Sequence, residues 1–220
     1  MSFDLPEFAN DGCVFCSIVV GDTEASWEVR PTGDSRVACF HNRLKWSRIM
    51  LLVVPVEHMT QEGLWKSDVL VDTGRLIVAF GDKHCGDEGF RAISNFGLQA
   101  HQSQIHGHIH LVSGTSRQIQ TGDRKSQHPA SGEFDVNEYE IEETPFAARI
   151  APSNPTTQRK MWSTGQLLET SQAAFEIVEK HSADGFRLIS SFEPANSSQP
   201  AGSNDASLFV LGGGQLGLYV

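Results

Sequence analysis

Basic residues are scarce in this 220-residue sequence: 17 lysines and arginines stand against 27 aspartates and glutamates, for a formal net charge of −10. This excess of negative charge works against binding a long polyanion such as DNA or RNA. A small nucleotide is not excluded, because it needs only one locally positive pocket. We therefore expect any partner of this kind to be a small-molecule nucleotide and not a long nucleic acid.

Long apolar segments are also missing. The longest apolar run, Ile49 to Val56, is far shorter than the roughly 20 residues of a membrane-spanning helix and is predicted to be a buried strand. The N-terminal residues 1–7 show neither the basic region nor the apolar core of a secretory signal. We expect a soluble, cytoplasmic protein without a membrane partner. In that setting its four cysteines favour free thiols or metal ligands over disulfides.

The hydrophobic periodicity predicts strands, then an amphipathic helix from Ser67 to about Lys83, then strands at Phe90 to Phe96 and Ile105 to Val112. This order predicts an α+β fold. Residues 115–133 are rich in glycine, serine and charged side chains, as linkers are. We predict a flexible N-terminus (1–12), a first domain (13–115), a linker (116–133) and a second domain (134–220).

The second half repeats the first weakly but in order. Phe90 to Phe96 reads FRAISNF, and Phe186 to Phe192 reads FRLISSF. The other matches are Pro55 and Trp65 with Pro152 and Trp162, Lys83-His84 with Lys180-His181, and residues 111–114 with 209–212. Four matches in order at similar offsets indicate a tandem duplication.

The chemistry-bearing residues are confined to the first copy. In this alignment His106, His108 and His110 correspond to Asn204, Ala206 and Leu208. His58 corresponds to Pro155, and no CxxC motif opens the second copy. We therefore predict one active site per chain and a degenerate second repeat.

Three histidines alternate along one predicted strand, at His106, His108 and His110. Alternate residues of a strand share a face, so three imidazoles are expected side by side. At neutral pH imidazole can serve as nucleophile, general acid or base, or metal ligand.

A CxxC motif lies near the start, at Cys13 and Cys16. Such a motif can be half of a zinc site or a redox pair. A redox pair is expected at the start of a helix in a βαβ unit, and no strand is predicted before this motif. Zinc requires two further nitrogen or sulfur ligands, for which His58 and His106 are candidates.

The segments CVFCSIVVGD, LLVVPVEHM, ISNFG and HQSQIHGHIHLVSG together resemble the histidine triad superfamily, most closely its zinc-containing bacterial members. The resemblance runs from Cys13 to Gly114. It implies an antiparallel sheet with a helix, here duplicated. Gly107 stands in a slot that is apolar in the family motif, and we expect it to loosen the local packing.

The resemblance also implies roles for individual residues. His108 attacks the α-phosphorus of a nucleotide and carries a covalent nucleotidyl group, while His110 and Ser103 act at the scissile bond and phosphate oxygens. The implied nucleotide-binding residues are Asn95, Gln102, Asn42, Phe15, Ile18 and Phe40. The implied ligands of a structural zinc ion are Cys13, Cys16, His58 and His106.

Two positions depart from the family pattern. Met50 stands where many members carry a fourth histidine, and Asn42 stands where an acidic residue usually holds the ribose hydroxyls. Both changes make a familiar adenosine phosphoramidate substrate less secure.

The leading hypothesis is a nucleotide hydrolase or nucleotidyl transferase acting at an α-phosphate, for instance of a dinucleoside polyphosphate or a nucleoside phosphoramidate. The sequence contains no Walker loop, which excludes the main alternative motif for nucleotide phosphates. The alternatives are a low-turnover nucleotide sensor or scaffold, a transferase resembling galactose-1-phosphate uridylyltransferase, and a zinc-stabilised structural protein.

Single-domain family members pair as dimers that share one continuous sheet. We therefore expect the degenerate copy to replace the partner subunit, so that the chain is a monomeric pseudo-dimer, with a homodimer of whole chains as the alternative.

Overall fold

Ten strands form one antiparallel sheet in the part of the chain that the computed structural model describes. The described residues are 12–114, 124–130 (backbone only), 133–141, 144–181, 184–195 and 206–213. The strands are β1 Trp27–Val29, β2 Val37–His41, β3 Met50–Pro55, β4 Phe90–Phe96, β5 Ile109–Ser113, β6 Arg124–Ala130, β7 Phe134–Tyr139, β8 Ala147–Pro152, β9 Phe186–Phe192 and β10 Leu208–Gly212. The helices are α1 Val14–Val20, α2 Gln61–Trp65, α3 Val69–Cys85, α4 Gln158–Trp162 and α5 Gln166–His181.

The strand order mirrors itself about the centre of the sheet. The full order is β1-β2-β3-β5-β4-β9-β10-β8-β7-β6. Read outward from the centre, the first half gives β4, β5, β3, β2 and β1, and the second half gives β9, β10, β8, β7 and β6 in the corresponding order. This arrangement confirms the predicted α+β fold with a large antiparallel sheet. The two halves join through β4 and β9, which pair over their full length from Phe90–Phe192 to Phe96–Phe186.

One face of the sheet is covered by the four helices α2 to α5. Alternating strand residues such as Cys39, Leu51 and Val53 point to this face, and the helices contribute Trp65 and Trp162, whose rings meet edge to face at 6.0 Å. Burial of such an apolar layer is the main stabilising contribution to the fold. The remaining helix, α1, packs on the opposite face, over the first half of the sheet.

The strand that bears the histidines is shorter than predicted. Strand β5 begins at Ile109 rather than at Ile105, so His110 is the triad histidine that lies within it. His106 forms an isolated bridge with Thr60, because the backbone around Gly107 pairs with the segment before α2 instead of with a neighbouring strand.

Gly107 tightens the packing here, so the expectation that it loosens it was wrong. Its amide donates to the carbonyl of Met59 at 2.7 Å. A Cβ atom at this position would lie 2.8 Å from the carbonyl oxygen of Thr60 and 2.9 Å from Cβ of Leu64. Glycine therefore permits the close approach of the histidine segment to α2.

Part of the predicted linker is a strand. Arg124–Ala130 forms β6, which pairs with β7 at the edge of the sheet. Its sequence, RKSQHPA, lacks the alternation of apolar residues by which strands are detected, and proline with polar residues is typical of an edge strand. The rest of the predicted linker up to residue 123, and the predicted flexible N-terminus up to residue 11, lie outside the described residues.

Among the described residues, no helix combines the length and the apolar character that crossing a membrane requires.

Candidate active site and metal centre

Four side chains with metal-ligand chemistry converge beside the histidine segment. They come from the N-terminus of α1 (Cys13 and Cys16), the loop after β3 (His58) and the segment before β5 (His106), and their ligand atoms all lie within 4.8 Å of one another. The Cys16 sulfur lies 3.1 Å from Nδ1 of His58, and both cysteine sulfurs lie 3.4 Å from Nδ1 of His106. The structure thus brings the four predicted metal ligands together.

The donor set fits a metal such as zinc. Nε2 of His106 donates to the carbonyl oxygen of Pro55 at 3.0 Å, because a carbonyl can only accept. The proton is thereby held on Nε2, and the Nδ1 lone pair faces the two thiols. Burial lowers the pKa of His106 to about 4, which keeps the imidazole neutral and able to ligate. Two sulfurs and two imidazoles, one of them oriented by a backbone carbonyl, match a structural zinc site.

The CxxC motif does lie at the start of a helix, with the side chain of Cys13 accepting from the amide of Cys16. The helix that follows has seven residues, and the chain between it and β1 makes a tight turn at Gly21. The imidazoles of His58 and His106 contact the cysteine sulfurs. These contacts distinguish a metal site from a redox pair made of two cysteines alone.

His108 is held in a single orientation. Its Nδ1 donates to the carbonyl oxygen of His106 at 2.8 Å, which leaves Nε2 of the neutral ring unprotonated. Burial also lowers the pKa of His108, and this favours the neutral form. The side-chain amide of Gln61 brackets the backbone of His108, with both its oxygen and its nitrogen bonded at 2.8 Å. A neutral imidazole with a fixed free lone pair can act as a nucleophile.

The rings on either side of His108 belong to two different cavities. Phe15 contacts it edge to face at 5.1 Å, and His110 contacts it at 4.9 Å. Burial and the neighbouring His108 lower the pKa of His110 to about 3, so this ring is neutral as well.

The first cavity, of about 820 Å³, is lined by residues that include Phe15, Ile18 and Phe40, three of the predicted nucleotide-binding residues. The second, of about 680 Å³, is lined by His110, Ser103 and Asn95 of the predicted site, and by residues that include Trp46 and His101. Asn42, Leu44 and Met50 line both cavities, so the two spaces adjoin. His110 lines the second cavity, and His108, which lines neither, contacts the ring of Phe15 from the first cavity and that of His110 from the second.

Two predicted binding residues already have internal partners. Oδ1 of Asn42 accepts from the amide of Leu44 at 3.0 Å, which stabilises the turn after β2. The amide of Gln102 is bonded at both ends within its own loop, to the amide of Gly97 and the carbonyl of Gln104. Gln102 is not among the residues that line either cavity, and it holds the loop that carries Ser103.

Sequence reasoning missed several residues of the site. Trp46 is half exposed at the second cavity, and His101 lines it with a left-handed backbone (φ 59°). Gln61, which positions His108, carries no sequence signal, because a polar residue at the start of a helix is ordinary. Arg187 donates through Nε to Oδ1 of Asn95 at 3.1 Å. Its signal was present: a charged residue recurs inside both buried strands, in FRAISNF and FRLISSF.

Two side-chain contacts of the first half of the sheet recur in the second half. Gln158 brackets the backbone of Ser207 just as Gln61 brackets that of His108. The indole of Trp162 donates to Ser190 at 3.0 Å, as the indole of Trp65 donates to Ser94.

These contacts correct the sequence alignment by one residue. The counterpart of His108 is Ser207 rather than Ala206, and the counterpart of His110 is Phe209 rather than Leu208. Asn204, matched to His106 in the sequence, lies outside the described residues. The error arose because the loops before the last strand differ in length, which sequence matching at a fixed offset cannot detect.

Comparison with known proteins gives a consistent result. No model of a known protein family matches the chain. The fold is similar to that of an ADP-glucose phosphorylase from Arabidopsis thaliana with bound ADP-glucose, at a TM-score of 0.62 and 12% identity over 97% of this chain and 82% of that one. It is also similar to a yeast Ap4A phosphorylase in complex with AMP, at a TM-score of 0.54 and 14% identity over 89% of this chain and 62% of that one.

A comparison of sequences gives a further similarity, independent of the fold. An uncharacterised HIT-like protein from Chlamydia muridarum is 27% identical over 84 residues, which are 37% of this chain and 67% of that protein. The sequence match and the shared fold together support the resemblance to the histidine triad superfamily. In the sequence, His106, His108 and His110 are the residues that carry this resemblance.

Proposed function

We propose that this chain is a nucleotide hydrolase or nucleotidyl transferase that forms a covalent intermediate on His108. The observation that carries the proposal is the hydrogen bond from Nδ1 of His108 to the carbonyl of His106, at 2.8 Å. It fixes the tautomer with a free lone pair on Nε2, in a ring that contacts Phe15 of the first cavity and His110 of the second. The nucleotide ligands of the ADP-glucose and Ap4A phosphorylases support a substrate of the same class.

The first step is attack by Nε2 of His108 on the α-phosphorus of the nucleotide. A phosphorus–nitrogen bond forms while the bond to the leaving group breaks, and the leaving group departs with the electron pair and takes up a proton from solvent. The imidazole then carries positive charge, which the carbonyl of His106 stabilises by accepting from Nδ1–H. In the second step water attacks the same phosphorus and loses a proton to solvent, and the electron pair of the phosphorus–nitrogen bond returns to Nε2.

The surrounding residues take the following parts in this proposal. Phe15, Ile18 and Phe40 bind the base in the first cavity, and Asn42 contacts the ribose between the cavities. His110 and Ser103 lie in the second cavity, where they contact the phosphate oxygens and the leaving group. Because His110 is neutral, it acts as a hydrogen-bond donor rather than as a cation.

We further propose that zinc is bound by Cys13, Cys16, His58 and His106. When bound, zinc supplies a cross-link among α1, the loop after β3 and the histidine segment, and no chemical step. The proposed units are 13–115, which is active, and 134–220, which is a degenerate copy that occupies the place of a partner subunit. The cytoplasmic location stays a prediction.

A second candidate is transfer of the nucleotidyl group to inorganic phosphate in place of water. The similarity of almost the whole chain to an ADP-glucose phosphorylase favours it. The retained third histidine, His110, favours hydrolysis.

The test is to trap the intermediate. Wild-type protein is incubated with diadenosine polyphosphates or a fluorogenic adenosine phosphoramidate, with and without phosphate, and is then denatured at alkaline pH for intact-protein mass spectrometry. We expect a nucleotidyl adduct on the wild type and on a His181→Ala control, and none on His108→Ala. Release of a nucleoside diphosphate from the phosphoramidate, in the presence of phosphate and not in its absence, identifies the transferase. Nucleotide binding without adduct or turnover overturns the enzyme proposal and favours the sensor.

A further inference from the structure

The degenerate half contributes a buried arginine to the site of the active half. Arg187 lies on β9, directly opposite Asn95 on β4, and opposed residues of an antiparallel pair point to the same face of the sheet. That face is the one on which Ile93 and Asn95 line the second cavity. Arg187 is 1% exposed and Asn95 is 3% exposed.

The hydrogen bond between them settles the orientation of the Asn95 amide. A guanidinium has only donors, so the atom that Nε of Arg187 contacts at 3.1 Å must be the oxygen of the amide. The NH2 group of Asn95 is consequently turned away from Arg187. Since Asn95 lines the cavity together with His110 and Ser103, the group that it can offer to a ligand there is a donor.

A donor amide beside a buried positive charge suits an anionic ligand. Phosphate oxygens are acceptors only, and a cation in the protein interior attracts them more strongly than one in water. An acceptor amide turned to the cavity would instead suit a hydroxyl or amine donor. The geometry therefore favours a phosphate over a hydroxyl or amine group as the ligand of Asn95.

We propose that Arg187 is a positioning residue for nucleotide binding: it acts across the seam between the two halves and holds Asn95 as a donor to a substrate phosphate. This inference rests on the proposed function. It assigns the degenerate copy a direct part in the site.

The chain provides a matched control. Arg91 stands in β4 where Arg187 stands in β9, is 4% exposed, and lies opposite Ser191, the counterpart of Asn95. Loss of either arginine removes a buried guanidinium from an equivalent place in the sheet. Arg187 bonds Asn95, which lines the second cavity, whereas Ser191, the residue opposite Arg91, does not line it.

The experiment compares Arg187→Met with Arg91→Met in the full chain. The dissociation constant of whichever of AMP, GMP and UMP binds the wild type most tightly is measured by calorimetry, and the melting temperature is measured alongside. We expect similar losses of melting temperature, binding about tenfold to a hundredfold weaker for Arg187→Met, and a change of less than about twofold for Arg91→Met. In an Asn95→Ala background, Arg187→Met should change binding by less than about twofold, because the arginine acts through the amide.

A conservative pair covers the case in which the methionine variants do not fold. Arg187→Lys keeps the charge but loses the Nε–H that holds the amide, so it should weaken binding at least about fivefold, against less than about twofold for Arg91→Lys. Equal effects of the two arginines, or an undiminished effect of Arg187→Met in the Asn95→Ala background, overturn the role of Arg187 alone. A wild type that binds none of the three nucleotides overturns the proposed function together with this inference.

Discussion

Ile93 and Ile189 face each other across the β4–β9 pair, and each is the counterpart of the other in the two FR-x-IS sequences. A pairing in which a residue meets its own counterpart occurs only where a two-fold axis crosses the pair. The residues on either side obey the same relation, since Phe90 pairs with Phe192 and Phe96 pairs with Phe186. This register is the one expected when two copies of a unit join edge to edge, and it supports the proposed duplication.

The two halves of the sheet meet at the β4–β9 pair, which we call the seam. Residues of β4 and of β9 should contribute equally to the stability of the protein there. The rings of Phe96 and Phe186 stack at 4.3 Å, and both are fully buried. Removal of either ring leaves a cavity, so we expect Phe96→Ala and Phe186→Ala each to lower the free energy of unfolding by about 3–5 kcal/mol. The double variant should lose less than the sum, because both single variants remove the same stacking contact. Denaturant titration measures all three.

Leu98 provides the control for this prediction. It lies just after β4 and is 61% exposed, so Leu98→Ala should change the free energy of unfolding by no more than about 0.5 kcal/mol. A loss at Leu98 as large as that at Phe96 would show that the seam has no special part in stability.

The zinc content of the protein should fall when a cysteine of the metal cluster is replaced, and should not change when a cysteine outside the cluster is replaced. We expect about one zinc ion per chain in the wild type, measured by elemental mass spectrometry, and a loss of most of it in Cys16→Ser. Burial raises the pKa of the Cys16 thiol to about 11 without a metal, so zinc uptake should release protons and weaken as the pH falls. Cys39→Ala removes a fully buried thiol outside the cluster and should retain the metal. Metal loss in both variants would refute the assignment.

Much of the fold was predictable because its signals are local. The apolar run of β3 and the FR-x-IS repeats mark strands, and the 3.6-residue periodicity marks α3. Strand β6 was not predictable, because an edge strand with polar residues and proline has no such signal. The pairing of β4 with β9 joins strands that are far apart in the sequence, so local patterns do not predict it and only the repeat suggests it.

The site was predictable where residue type determines the chemistry. The two cysteines and two histidines of the metal cluster follow from ligand chemistry. The histidine alternation indicates a row of imidazoles, and the prediction of His108 as the nucleophile comes from the family resemblance. The parts of Gln61 and Arg187 could not be found in this way, since a glutamine or an arginine acquires its function only from the backbone or amide that it meets in space.

Gly107 should not tolerate a side chain. In Gly107→Ala the new methyl group meets the carbonyl of Thr60 and Cβ of Leu64 at less than 3.0 Å, and neither atom is the end of a flexible side chain. We expect a loss of about 1–3 kcal/mol in the free energy of unfolding and a fall in turnover, because the backbone beside His108 must shift. Gly165→Ala is the control, as no atom lies within 4 Å of a Cβ placed there. Thermal melts and turnover assays compare the two variants, and equal losses in both would contradict the prediction.

Glu28 should make stability depend on pH in the acidic range. Burial alone would raise its pKa, but bonds from Lys83, His84 and His41 outweigh this effect and lower the pKa from 4.5 to about 2. A carboxyl with a lowered folded pKa stabilises the protein above its unfolded pKa, and this stabilisation is lost as the pH falls from about 4.5 towards 2. The melting temperature of Glu28→Gln should therefore lie below that of the wild type at neutral pH and converge with it in acid.

The control for Glu28 is an exposed ion pair. Glu62 contacts Lys66 one helical turn away, and such surface pairs contribute little. Glu62→Gln should follow the wild-type melting curve at every pH, within about 0.5 kcal/mol of stability. A Glu28→Gln variant that keeps a constant difference from the wild type down to pH 2 would contradict the assignment.

Asn42 is the position at which we expect a substitution to improve nucleotide binding. The single acceptor oxygen of its side chain already accepts a hydrogen bond from the amide of Leu44. A hydrogen bond from a ribose hydroxyl to the same oxygen is therefore weaker. In Asn42→Asp one carboxylate oxygen can keep the turn while the other accepts from the ribose, and Arg43 and Lys45 of the same cavity offset part of the repulsion from the phosphate. We expect AMP to bind about threefold to tenfold more tightly. The gain should vanish with 2′,3′-dideoxy-AMP, and Asn42→Ala should weaken binding because it removes the turn acceptor. An equal gain with the dideoxy nucleotide would place the contact elsewhere than on the ribose.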